Sequence, residues 1–150
     1  MIEIRKGDIT LCDCADVICH QVNCRGVMGA GVAKAISKKW PIVKLEYEAA
    51  CTSAASPYDL LGIAQIVKVE NGFGVVNLFG QLNYGRSKVC YTDYRALEKA
   101  MKSVNNLFKG MTIALPWKIG CGLAGGDWAR VEEIIMRSFV DCEVKIYALL

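Results

Sequence analysis

The chain has 150 residues, 53% of them hydrophobic and 22% charged, with a net charge of +3. Those values fit one domain over residues 1–150 with a core of ordinary size. They leave no apolar run long enough to span a bilayer, and the mild positive charge does not mark a surface that tracks a nucleic-acid backbone. The first residues, Met1-Ile2-Glu3-Ile4-Arg5-Lys6, lack the apolar stretch of a signal peptide, so the expected location is the cytoplasm and no membrane is expected. Eight cysteines without a secretion signal argue against a disulfide framework. A single His and no Cys-x-x-Cys pair argue against zinc, and neither metal nor cofactor is expected. Cys19, Cys51, Cys90 and Cys142 read as small buried apolar residues, while Cys24 and Cys121 fall in Gly-rich loops and read as partly exposed.

In chain order, Ile2 to Arg5 alternates and reads as a strand, and Lys6 to Thr10 as a turn. Asp16 to Val22 reads as a strand buried on both faces. Gly29 to Trp40 predicts a helix, with Ala30, Ala33, Ile36 and Trp40 at helical spacing, and Pro41 interrupts it. Ile42 to Cys51 continues as a second helix, and Thr52 to Asp59 is a loop. Ile63 to Val69 and Phe73 to Phe79 read as strands joined by a hairpin at Asn71-Gly72. Gly80 to Lys88 is a polar loop. Tyr91 to Phe108 is a long amphipathic helix with Gly110 as its C-cap. Met111 to Leu115 is a buried strand, Trp128 to Val140 a helix with Asp127 as N-cap, and Val144 to Leu149 a last strand. This alternation predicts an α/β domain, a mixed central sheet with helices on both faces. No coiled-coil seam appears, and a monomer is expected.

Two Gly-rich loops follow apolar runs and precede helices: Asn23 to Gly31, and Gly120-Cys121-Gly122-Leu123-Ala124-Gly125-Gly126-Asp127. Strand, loop, helix is an arrangement that offers backbone N–H groups and a helix N-terminus to an anion, most often a phosphate or diphosphate. Ligands of such sheets sit at the carboxyl ends of the strands. Two such loops in one small domain predict one ligand held from two sides. By themselves, Asp8 reads as the cap of a turn, Asn23 as a loop builder, Asp127 as an N-cap and His20 as a hydrogen-bonded structural group. Lys34, Lys38, Lys39 and Lys44 read as a solvated helix face; the alternative, a nucleotide- or RNA-binding surface, requires a steep salt dependence.

Lys6-Gly7-Asp8-Ile9-Thr10, Asn23 to Val32, Val76-Asn77-Leu78-Phe79-Gly80-Gln81 and Pro116 to Trp128 together resemble the macrodomain family, which binds ADP-ribose. The match is similar to the compact branch that includes ADP-ribose 1″-phosphate phosphatases and terminal ADP-ribose glutamate hydrolases. The resemblance implies a three-layer α/β/α macrodomain. It implies that Asp8 accepts from the adenine amino group beside the Ile9 backbone and that Asn23 faces the distal ribose. By the same resemblance, Gly29, Ala30, Gly31 and Val32 should wrap the diphosphate or distal ribose, Lys118, Ile119, Gly120, Cys121, Gly122, Leu123 and Ala124 should form the second phosphate loop, and Leu149 should line the adenine end. The implied partner is ADP-ribose or an ADP-ribosylated protein or nucleic acid.

Two positions depart from the glutamate hydrolase pattern. Gln81 stands where that branch uses a lysine, and Ala124 where it uses an aspartate. An amide cannot form a Schiff base with an opened ribose, so a lysine-adduct mechanism is not expected. The expectation is hydrolysis at the distal ribose by a positioned water, with Asp127 or His20 as general base and Asn23 as the orienting group. The alternative is an ADP-ribose reader without turnover.

Overall fold

The computed structural model describes residues 2–70 and 72–149. Strand β1 is Ile2–Lys6, and a 3-10 turn, Ile9–Leu11, leads to β2, Val17–Asn23. Helices α1, Gly31–Lys39, and α2, Pro41–Ser53, follow, then a 3-10 turn at Pro57–Asp59. Strands β3, Ala64–Glu70, and β4, Phe73–Gln81, precede helix α3, Tyr94–Leu107. The chain closes with β5, Thr112–Pro116, α4, Trp128–Ser138, and β6, Glu143–Ala148. The strands form one sheet in the order β1-β6-β5-β2-β4-β3, parallel except for β3, which runs antiparallel to β4.

The sheet is buried on both faces, as apolar parallel strands require. Alternation along each strand divides the side chains between two cores. Cys19, Val76, Leu78, Ile113 and Leu115 pack with Leu97, Met101, Val131 and Ile135 of α3 and α4. Ile18, Val22, Val75, Phe79 and Ala114 pack with Ile36, Val43 and Tyr47 of α1 and α2. This is the expected α/β/α arrangement with a mixed sheet.

Element ends differ from expectation where local hydrogen bonds intervene. Helix α1 begins at Gly31, because Gly29 belongs to the loop and the extended Ala30 is the N-cap. Helix α3 begins at Tyr94, because Asp93 accepts from Ala96 N at 3.0 Å. The preceding N–H groups of Tyr91 and Thr92 turn instead to the Ala124 carbonyl. Strand β4 runs through Gly80 and Gln81, which pattern reading assigned to the loop. Helix α4 stops at Ser138, and α2 extends to Ser53 within the expected loop. Ser56 and Asp59 then form a reciprocal cap around the second 3-10 turn. Gly110 adopts φ +82° but does not close α3, which is capped at Phe108; its N–H reaches Asp141 O at 2.8 Å. Asn71 of the hairpin lies outside the described residues, while Glu70 pairs with Phe73 across the turn. Among the described residues no helix is long and apolar enough to cross a membrane.

Candidate functional site

Strands β2, β4 and β5 end side by side at Asn23, Gln81 and Pro116, and a cleft of about 800 Å³ opens over their carboxyl ends. One wall is the loop 23–30 with the start of α1, and the other is the loop 117–124. Both expected loops therefore face one cavity. Gly29, Ala30, Gly31, Val32, Lys118, Ile119, Gly120, Cys121, Gly122, Leu123 and Ala124 all line it.

Asn23 builds the first wall. Its Nδ2 donates to Val27 O at 2.8 Å, while Oδ1 accepts from Arg25 N at 2.9 Å and from the buried Tyr47 hydroxyl at 2.9 Å. Tyr47 also donates to Asn23 O at 2.7 Å, and stacks on Phe79 beneath. One amide hydrogen of Asn23 remains for a ligand. Past this brace, the N–H groups of Met28, Gly29 and Ala30 have no hydrogen bond among the described residues, and the first turn of α1 carries no acidic side chain. An anion meets orphan donors and the positive helix end with no competing carboxylate.

The second wall is held by its turns. Ile119 N donates to Pro116 O, Cys121 N to Lys118 O and Gly126 N to Gly120 O. Thr92 Oγ1 donates to Gly120 O at 2.7 Å. A Cβ on Gly126 would lie 2.5 Å from that same carbonyl oxygen, and one on Gly125, at φ +75°, 2.5 Å from Val89 O. These glycines are packing requirements. The N–H groups of Gly122, Leu123 and Ala124 make no hydrogen bond among the described residues. Arg86 and Lys118 are the charged side chains among the lining residues, and no carboxylate is found there.

Between the walls, Gln21 Nε2 donates to Gln81 Oε1 at 2.8 Å and to Thr92 Oγ1 at 2.9 Å. Gln81 Nε2 donates in turn to Asn83 O. The position that departs from the lysine pattern thus ties β2 to the loop after β4, while Gln21, through Thr92, reaches the Gly120 carbonyl of the second wall. Gln21 Oε1 is buried without a partner. Gln21, Tyr84, Arg86 and Trp117 line the cleft and are not singled out individually by the sequence, although Tyr84 and Arg86 belong to the polar loop Gly80 to Lys88 and Trp117 to the motif Pro116 to Trp128. The signal at Gln21 was a polar residue beside His20 in a strand that begins as an apolar run.

His20 also lines the cleft but is fully enclosed. Its Nε2–H donates to Asn77 Oδ1 at 2.6 Å, Asn77 Nδ2 to Gln65 Oε1 at 3.0 Å, and Gln65 Nε2 to Glu46 O at 2.9 Å. A carbonyl can only accept, so the chain of amides fixes the proton on Nε2 and leaves Nδ1 bare and buried. Burial lowers the His20 pKa to about 4, against the opposing effect of the Asn77 hydrogen bond. A neutral imidazole this hard to protonate is a poor general base at neutral pH.

Four expected site residues stand apart from the cleft. Asp127 does not line it: its Oδ1 accepts from Ala129 N at 3.1 Å and caps α4, so the capping role is the one the structure shows. Asp8 lies on the same sheet edge, beyond the end of β1, where its Oδ1 takes Thr10 N at 2.9 Å and Thr10 Oγ1 at 2.8 Å. Ile9 is buried in the core below, and Leu149 is 77% exposed. Among the cysteines, Cys24 is buried and Cys90 exposed, the reverse of the sequence expectation, and Cys51 is only half-buried. Burial, followed by the nearby Asp127 charge, pushes the Cys121 thiol up to about 11, so it stays protonated.

The family model described as Macro domain matches residues 19–135, and the chain belongs to that family. It is 34% identical over 160 aligned residues to an ADP-ribose 1″-phosphate phosphatase of Meyerozyma guilliermondii, covering 88% of this chain and 90% of that protein. It is 25% identical over 142 residues to a DNA ADP-ribosyl glycohydrolase of Mycobacterium bovis, covering 93% of this chain. The chain spans 39% of that relative's length. A solved macrodomain protein from Streptomyces coelicolor superposes with a TM-score of 0.82 at 29% identity, with 98% of each chain covered.

Proposed function

We propose that the cleft binds ADP-ribose, and that the protein hydrolyses a bond at the distal ribose. The products would be phosphate from ADP-ribose 1″-phosphate, or free ADP-ribose from a modified protein or nucleic acid. The observation that carries this reading is the pair of facing loops, each presenting unpartnered backbone N–H groups. Such donors, with Arg86 and Lys118 as the lining charges, suit a diphosphate held across the gap. The names of the fungal and mycobacterial relatives support hydrolysis. Asp8 and Leu149 would meet the adenine end on the same sheet edge, and the free amide hydrogen of Asn23 would reach the distal ribose.

No carboxylate lines the cleft among the described residues, so the best proton acceptor brought there is a phosphate oxygen of the ligand. The protein's part is to bind, to orient and to hold charge. The working unit in this reading is one copy of the chain, in the cytoplasm.

Calorimetry with ADP-ribose tests binding; a micromolar constant corresponds to about −8 kcal/mol. Release of phosphate from the 1″-phosphate, and of ADP-ribose from modified protein and DNA, tests turnover. A second reading, a binding module without turnover, is favoured by one finding: Asn23, His20 and Asp127 are all engaged in holding the fold. Tight binding without release of any product would establish it. Absence of binding would remove both.

A further inference from the structure

Cys12 and Cys14 take no part in the cleft. They follow the first 3-10 turn and lie against β1 and β6. Arg5 Nη1 donates to Cys14 Sγ at 3.3 Å, and the Tyr147 hydroxyl lies 3.0 Å from the same sulfur. Cys12 stands two residues before Cys14 and, like Tyr147, packs against the α1–α2 core. Burial pushes the Tyr147 phenol far above its ordinary value, so it keeps its proton and donates. Glu3 Oε1 takes Arg5 Nε at 2.5 Å, which leaves Nη1 for the sulfur. Lys145 adds positive charge nearby.

A sulfur that receives two donors, one of them cationic, is stabilised as a thiolate, and the thiolate is the nucleophile. The hydrogen bond from Tyr147, then the Arg5 charge, hold the Cys14 thiol below the usual range. Most other thiols differ. Cys19, Cys24 and Cys121 are pushed up by burial, and Cys19 is wholly enclosed. Cys12 and Cys14 are both half-buried, and a small reagent can reach them.

We propose that Cys14 is a nucleophilic modification site with Cys12 as its resolving partner, so that a hydroperoxide converts the pair to a disulfide. The Cys14 thiolate attacks the terminal peroxide oxygen, the O–O bond breaks, and alkoxide or hydroxide leaves with the electron pair. Cys14 is then a sulfenic acid. The Cys12 sulfur attacks the Cys14 sulfur, the S–O bond breaks, and the departing hydroxide takes the Cys12 proton as water. Two thiols lose two electrons, and the peroxide is reduced to alcohol and water. The inference stands apart from ADP-ribose binding and survives its failure.

The test uses the full chain with its eight cysteines and Cys90, an exposed thiol, as internal comparator. Iodoacetamide at pH 7 should label Cys14 at least tenfold faster than Cys90. Arg5→Leu and Tyr147→Phe should each slow that labelling several-fold while circular dichroism stays unchanged. Limiting hydroperoxide should remove two hydrogens from the intact mass. Cleavage before Asp13 should leave two pieces joined until reduction. Cys12→Ser should stop the reaction at a sulfenic acid that dimedone traps. Equal labelling of Cys14 and Cys90 in the folded protein, or a Cys14 rate indifferent to Arg5→Leu, overturns the nucleophile. A trapped sulfenic acid in the parent protein with no Cys12–Cys14 bond overturns the resolving role.

Discussion

Lowering the pH from neutrality should destabilise this protein through His20. The imidazole is enclosed and donates to Asn77, and burial lowers its pKa from 6.5 to about 4. A histidine of depressed pKa is neutral in the native state while the unfolded chain takes up a proton. Its stabilising contribution is therefore complete above pH 6.5 and is lost as pH falls toward 4. The full difference is on the order of 3 kcal/mol, at 1.36 kcal/mol per pKa unit, and about 2 kcal/mol of it is gone by pH 5. Glu98 acts in a lower window. Hydrogen bonds from Arg137 and Lys102 hold its carboxyl down to about 2, against 4.5, so its contribution is lost only as pH falls from 4.5 toward 2. Urea midpoints measured between pH 7.5 and 4 would trace the His20 window. His20→Gln keeps a donor for Asn77 but does not titrate, so its midpoint should be nearly flat where the parent falls. Parallel pH curves for the two proteins, or an imidazole that titrates near 6.5 by NMR, would refute the reasoning.

Four further outcomes check the site. Gly126→Ala should cost about 1–3 kcal/mol of stability by overpacking against Gly120 O, whereas Gly122→Ala, with nothing within 4 Å of the added Cβ, should be near neutral; thermal melts of the pair decide. Asn23→Ala leaves Tyr47 and the 23–27 loop without a shared acceptor, and should weaken ADP-ribose by about 1–3 kcal/mol in calorimetry while lowering the melting temperature. Asp127→Ala should remove a cap of about 1 kcal/mol and leave the hydrolytic rate unchanged; a rate that collapses at full stability would restore it as a base. Asp8→Ala should weaken ADP-ribose by roughly 1–3 kcal/mol, and an unchanged affinity would show that Asp8 does not touch adenine.

The fold was legible because its signals are local and repeated. Alternation in β1, the apolar runs Val17 to Cys19 of β2 and Ile113 to Leu115 of β5, and the spacing of Leu97, Met101 and Val104 in α3 each state their own structure. The two glycine loops were legible for the same reason, since a Gly-rich turn between strand and helix has few other uses. What could not be read was competition between nearby partners. Tyr91 to Asp93 has a helical pattern, yet the Ala124 carbonyl, 31 residues past Asp93, claims two of its N–H groups. The Gln21–Gln81–Thr92 bridge joins three segments far apart in sequence, and no spacing rule connects them. Cys24 sits in a glycine loop but is buried in the α1–α2 core, which sequence position alone does not disclose.

The polar residues singled out by type share one outcome that bears on how this cleft works. Asn23 ties the first loop to Tyr47, His20 ends a relay of amides that stops at Glu46 O, and Asp127 caps the helix behind the second loop. Each is spent on holding a wall, so the facing loops present mainly backbone N–H groups, beside the one free amide hydrogen of Asn23. Backbone donors held by buried braces do not need to reorganise when charge arrives, which is the condition under which they stabilise it best. Affinity in such a cleft depends on how well the loops are held as much as on what touches the ligand. Gln21→Leu tests this directly. It removes no group from the loops themselves, yet it unpins Gln81 and Thr92 together, and with Thr92 the hold on Gly120. ADP-ribose affinity should fall at least tenfold with a smaller loss for Gln81→Leu, which breaks one of those two links. Equal affinity in Gln21→Leu and the parent would show that the walls keep their shape without the bridge.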